Sequence, residues 1–207
     1  MRTARTLPSS LRLIAQFLLL GFFLTPVMVV GQDSDSDWSV DEEWQDDVWT
    51  ITGGDDIVRA SVNGKITHGD RLRVILRPSD RCRNTILSTS FYTYSKEPDI
   101  GSLRNVPVVF QIYDGEMEEG TIDFMIPLFN RHMAWINLFN LPLPAIKEMF
   151  EIMNKRSDEI QITLKNSNTL ETEKYFDIPT NTWSLEGSME ALDRAEQLCL
   201  RMQQGNK

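Results

Sequence analysis

From residue 48 onward the chain is dominated by short segments in which apolar and polar residues alternate with a period of two, each bounded by turn residues. That pattern suits strands with one buried face, and it leaves little room for an all-helical fold. The segment RLRVILR at 71–77 is the clearest case, with Leu72, Val74 and Leu76 on one face and Arg71, Arg73, Ile75 and Arg77 on the other. The same reading predicts strands over 48–52, 56–62, 85–94, 106–113, 120–126, 131–139, 158–164 and 174–178, with a further short strand at 182–185. Gly53-Gly54, Asn63-Gly64 and Asp114-Gly115 supply turns, and Asn-Gly in particular favours a tight hairpin.

Two helices interrupt the strands. One begins near Pro144, a residue suited to the first helical turn, and repeats Ile146, Met149, Phe150 and Met153 at helical spacing. The other follows Gly187, with Ser188 as its expected cap and Glu190 in its first turn, and shows Leu192, Ala195, Cys199 and Met202 on one face. The expectation is a mainly β domain with two helices, β-sandwich-like, occupying 48–207 as a single unit.

The residues before this domain read as a targeting segment. Arg2, Arg5 and Arg12 precede an almost uncharged apolar run, LIAQFLLLGFFLTPVMVV, which ends at Val29-Val30-Gly31. This is the layout of a signal peptide over residues 1–31, cleaved near Gly31, and it predicts a periplasmic or secreted protein with no integral span after cleavage. An uncleaved anchor is the competing reading, since a membrane helix needs about 20 apolar residues. Pro26 near the end of the run suits a cleavage turn better than a helix core. No cysteine lies near the boundary, which excludes a lipoprotein anchor.

Export decides how the two cysteines are read. In an oxidising compartment a lone even pair is most simply one disulfide, here Cys82–Cys199, which would fasten the C-terminal helix to the start of a strand. Closing so long a loop is credited with at most about 5 kcal/mol in the chain-entropy model. The alternative, a catalytic thiol, would need a histidine partner. Only His68 and His132 are present, and neither lies in a nucleophile motif.

Residues 32–47, QDSDSDWSVDEEWQDD, carry eight acids and no base and read as an acidic, disordered tail or linker. The Asp33, Asp35, Asp37 spacing imitates the start of a calcium loop. It fails at the sixth position, Trp38, and the twelfth, Trp44. Between Arg59 and Arg83 the balance reverses, with seven bases against Asp70 and Asp80. Arg59, Arg71, Arg73, Arg77, Arg81 and Arg83 are therefore the candidate surface for an anionic partner, either solvated or covered by the acidic tail. The full chain carries −9, and −12 without residues 1–31. That acidity argues against a nucleic-acid binder with a broadly basic surface.

Catalytic and metal motifs are absent: there is no Gly-x-Ser-x-Gly, His-Glu-x-x-His, phosphate-binding glycine loop or Cys-x-x-Cys. The acids of DGEMEEG, residues 114–120, read as a solvated hairpin tip, not an opposed carboxylate pair. His68, His132 and Met133 do not assemble a ligand set. No catalytic residue, metal or cofactor is assigned.

The order of a Trp-led strand (VWTIT), a strand running into a single cysteine (RLRVILRPSDRC), a strand ending in aspartate (VVFQIYDGE) and the terminal stretch from WSLEGSMEAL to Cys199 resembles two groups of exported bacterial proteins. These are the invasion-associated locus B family and the type VI secretion accessory proteins of the VasI kind. The resemblance implies a non-enzymatic periplasmic or secreted protein associated with host contact or a secretion machine, and it carries no catalytic residues. The functional expectation is a binding or accessory protein whose partner is a protein or an anionic envelope or host-surface component. A small apolar-ligand carrier, with Trp135, Phe139 and Phe150 lining a cavity, is the alternative from another class.

Overall fold

The computed structural model describes residues 43–45, 49–54, 57–67 and 69–205. The segment read as a signal peptide, most of the acidic tail and His68 lie outside them.

Among the described residues ten strands form one antiparallel sheet: β1 (Glu43–Gln45), β2 (Trp49–Gly54), β3 (Ile57–Asn63), β4 (Arg71–Leu76), β5 (Asn84–Thr93), β6 (Val106–Ile112), β7 (Met117–Leu128), β8 (Arg131–Pro142), β9 (Glu159–Lys165) and β10 (Thr180–Ser184). Their order across the sheet is β1-β2-β3-β4-β5-β8-β7-β6-β9-β10. The helices are α1 (Leu143–Ser157), the four-residue α2 (Thr172–Tyr175) and α3 (Ser188–Gly205). The mainly β expectation with a disulfide-tied C-terminal helix holds: Cys82 and Cys199 are bonded, with Cα atoms 6.1 Å apart.

The sheet curls until strands far apart in its order touch across the interior. Phe91 of β5 meets Trp183 of β10 edge-on at 5.9 Å. Trp49 of β2 lies 6.2 Å from Phe150 of α1. The two ends of the curl are joined at Gly64, which bridges to Trp183, and at Lys65, whose N–H donates to the Thr182 carbonyl at 2.8 Å. The facing layers of the expected sandwich are thus parts of one sheet. α3 packs on β2, β3 and β4, and α1 on β5, β8 and β9.

Alternation decides the inner face. Leu72, Val74 and Leu76 are completely buried, as are Val58, Ala60, Ile136, Ile160 and Ile162. At about 25 cal/mol per Å² of apolar surface removed from water, burying each large aliphatic contributes roughly 1.5–3 kcal/mol. α3 needs close approach to the sheet, and a Cβ at Gly53 would stand 3.0 Å from Leu198 Cδ2.

Several local expectations are corrected. Residues 43–45, assigned to the tail, pair with β2 through Glu43↔Thr52 and Gln45↔Thr50. Asn63-Gly64 does not make a tight hairpin. It opens a longer connection whose Gly64 N–H bonds Asp70 O at 2.7 Å and whose next residue joins the seam. Residues 174–178 are not a strand. Thr172 Oγ1 donates to Lys165 O at 2.7 Å and starts the α2 turn, which buries Tyr175 and Phe176 side by side. Ser188 does not cap α3. Its hydroxyl is buried without a partner among the described residues, and the Gly187 carbonyl accepts the Ala191 N–H instead.

Candidate functional site

β3, β4, β5, β8 and β7 share an outer face on which the register places Arg59, Arg71 and Arg73 beside Ser88, Ser90, Tyr92, Met133, Trp135 and Phe124. Arg73 does not offer its charge to solvent. Only 8 % exposed, it lies 4.3 Å over the Trp135 ring, and its Nη1 donates at 3.2 Å to both Ser90 Oγ and Arg71 O. Burial lowers its pKa to about 10, with Arg71 and Arg59 adding repulsion. Trp135 is stacked in turn against Phe124 at 5.8 Å. A second pair, Arg131 over Tyr92 at 4.1 Å, lies further along the same face.

Arg71 is exposed but donates through Nε to Asn63 Oδ1 at 3.2 Å. Arg59 is half-buried, and desolvation lowers its pKa. The candidate group therefore divides. Arg59, Arg71 and Arg73 belong to the packed face of the sheet, whereas Arg77, Arg81 and Arg83 occupy the β4–β5 connection, are all exposed and make no ion pair among the described residues.

That connection is held firmly. The Arg77 carbonyl accepts the N–H groups of Asp80 at 3.3 Å and Cys82 at 3.0 Å, and the Pro78 carbonyl accepts that of Arg81 at 3.1 Å. Arg81 and Cys82 take left-handed backbone angles, φ 63° and 58°, so the chain reverses sharply at the cysteine. The disulfide fixes Cys82 to α3, and Leu143 N–H donates to Arg83 O at 3.1 Å, tying the loop to the start of α1. Three guanidinium groups thus stand on a backbone braced by two helices. This arrangement can bind anions with little ordering of the main chain. Alternation alone marked Arg77 as outward. The division between packed and free arginines could not be read without knowing that Trp135 stands two strands away from Arg73.

The other candidates do not converge. Trp135 lies on the outer face, Phe139 packs edge-on against Phe110 at 5.3 Å, and Phe150 is buried against Trp49, so the three line no common cavity. Asp114, Glu116 and Glu118 border an open cleft of about 490 Å³ together with Tyr113, Met153 and Arg156. Among the described residues no group of three or more His, Cys, Asp or Glu side chains could hold a metal ion, and no helix is long and apolar enough to cross a membrane. No family model, curated protein or solved structure matches the chain.

Proposed function

We propose that this chain is an exported, non-enzymatic binding protein that presents Arg77, Arg81 and Arg83 to an anionic component of the envelope or host surface. The observation that carries the reading is the exposed arginine trio, without an ion-pair partner among the described residues, on a loop anchored by the Cys82–Cys199 bond. A long-range disulfide suits an oxidising compartment, and the basic-then-apolar N-terminal segment suits export. The resemblance to exported two-cysteine accessory proteins supports the same class, and on that reading residues 1–31 are removed near Gly31.

The test compares wild type with the triple variant R77Q/R81Q/R83Q for binding to immobilised dextran sulfate over a salt series. At about 0.2–1 kcal/mol per exposed charge pair, the variant should bind roughly tenfold more weakly at low salt, with the difference closing as salt rises. Equal binding by the two proteins at low salt refutes the proposal.

A further inference from the structure

The sheet is forked at one end. The β7–β8 ladder stops at Thr121↔Asn137, although β7 extends back to Met117 and β8 runs on to Pro142. Leu138 is an extra residue of β8 opposite β5, between the Ser88↔Asn137 and Leu87↔Phe139 pairs. Such a bulge bends its strand, and β8 follows β5 away from β7 and into α1. Gly120 fits at the apex because it has no side chain; a Cβ there would stand 2.6 Å from Asn137 O.

Between the diverging strands lies a cleft of about 430 Å³. Glu119, Thr121, Asn137 and Asn140 bring polar side chains to it, beside an apolar lining of Ile86, Pro107 and Phe139. Asn137 Nδ2 donates to Asp123 Oδ2 at 2.6 Å, whereas the side chains of Glu119, Thr121 and Asn140 make no hydrogen bond or ion pair among the described residues. No Lys, Arg or His lines the cleft. Carboxamide, carboxylate and hydroxyl groups exchange hydrogen bonds with neutral hydroxyls, and the apolar lining suits the C–H face of a sugar ring.

The cleft adjoins the arginine loop. Ile75, Ile86 and Asn140 form one cross-strand row, with Arg77 following Ile75 on β4. Arg83 precedes Ile86 by about 10 Å of extended chain. Asp80, the acid within the loop, has Oδ1 buried. Other acids flank the combined surface on both sides. Asp55 and Asp56 join β2 to β3, and Asp114, Glu116 and Glu118 stand with Glu119 on the β6–β7 hairpin. A ligand charged at each unit therefore gains at the arginines and loses at the flanks. One whose charges are separated by neutral rings sets anions against the arginines and hydroxyls in the cleft.

We infer that the cleft and the arginine loop form one site for an acidic glycan in which charged and uncharged sugar rings alternate. This rests on the anion-binding reading of Arg77, Arg81 and Arg83 and names the ligand class for it.

The test is fluorescence anisotropy at low salt with three labelled probes. They are an octasaccharide alternating glucuronate with N-acetylglucosamine, octagalacturonate with a carboxylate on each ring, and a Glu-Gly repeat peptide with as many glutamates as the first has glucuronates. Wild type should bind the alternating glycan about tenfold more tightly than the peptide and no less tightly than octagalacturonate. T121V and N140A should each weaken binding of the alternating glycan about fivefold, the worth of one net hydrogen bond, and leave the peptide unchanged. R77Q/R81Q/R83Q should weaken all three. Absent binding of the alternating glycan overturns the inference, as does a peptide bound as tightly. So does tighter binding of octagalacturonate, or undiminished glycan binding by both T121V and N140A. If dextran sulfate binding still depends on the arginine trio, any of these results removes this inference alone; if it does not, both readings fall.

Discussion

The carboxylate of Asp70 accepts a 2.7 Å hydrogen bond from the side-chain amide of Asn181, 111 residues away, and so spans the seam where the curled sheet closes. Its other oxygen accepts the Tyr92 N–H at 2.7 Å. Asn181 uses its own oxygen for the N–H groups of Ile66 at 2.9 Å and Thr182 at 2.8 Å. A single buried amide and a single buried acid therefore satisfy polar groups from the β3–β4 connection, β5 and β10, whose neglect would cost about 1–3 kcal/mol each. Gly64 permits this closeness, since a Cβ there would sit 2.4 Å from Asn181 Nδ2.

Burial raises the Asp70 pKa to about 6, against the opposing pull of the Asn181 and Tyr92 hydrogen bonds and of Arg131 and Arg73. The unfolded chain releases the same proton near pH 3.9. Between those values the folded state holds more protons, so the contribution is complete below about pH 4 and is lost as pH rises through about 6. Urea unfolding from pH 4 to 7 should show wild type losing roughly 2–3 kcal/mol relative to Asp70→Asn, which does not titrate there. A stability difference that stays flat over that range contradicts the assignment. Asn181→Ala should move the titration further upward, because it removes a donor to the ionised form.

Most strands were legible because the half-buried strand writes itself into sequence as alternation, and RLRVILR became β4 with Leu72, Val74 and Leu76 completely buried. Closure of the sheet was not legible. It rests on Gly64, Asp70 and Asn181, which in sequence look like turn and edge residues because their partners lie more than a hundred positions away. The same limit applies to the site. Periodicity set Arg73 facing outward, correctly, but the side chain lies down across Ser90 onto Trp135 and leaves the charged surface. Arg71, tied to Asn63, and Arg77, Arg81 and Arg83, in a loop whose turn and cysteine are both visible in sequence, kept the exposure expected of them.

The disulfide couples stability to the proposed site. It links residues 117 apart and buries Cys199 in the face of α3 that covers Gly53. The Cys82→Ser/Cys199→Ser double variant should lose about 2–5 kcal/mol of unfolding free energy. It should also bind dextran sulfate more weakly than wild type, although all three loop arginines remain, because the left-handed turn at Arg81 and Cys82 loses its anchor. Urea titration and the same binding assay measure the two effects. Unchanged unfolding midpoints in the oxidised and reduced wild-type protein would falsify the structural role of the bond.

Arg73 and the loop arginines should separate cleanly under mutation. Arg73→Met keeps most of the aliphatic stem but removes the cation over Trp135 and the two Nη1 hydrogen bonds. Ser90 Oγ still accepts the Arg71 N–H at 2.9 Å, so no buried acceptor is orphaned. The expected cost is about 1–2 kcal/mol of stability, from the lost cation–π contact and net hydrogen bonding. Dextran sulfate binding at low salt should be unchanged, since that charge is not presented to a partner. R77Q/R81Q/R83Q should behave oppositely, with stability within about 0.5 kcal/mol of wild type, as expected for surface positions, and binding reduced. Equal loss of binding from Arg73→Met would show that the partner lies on the sheet face and not at the β4–β5 loop.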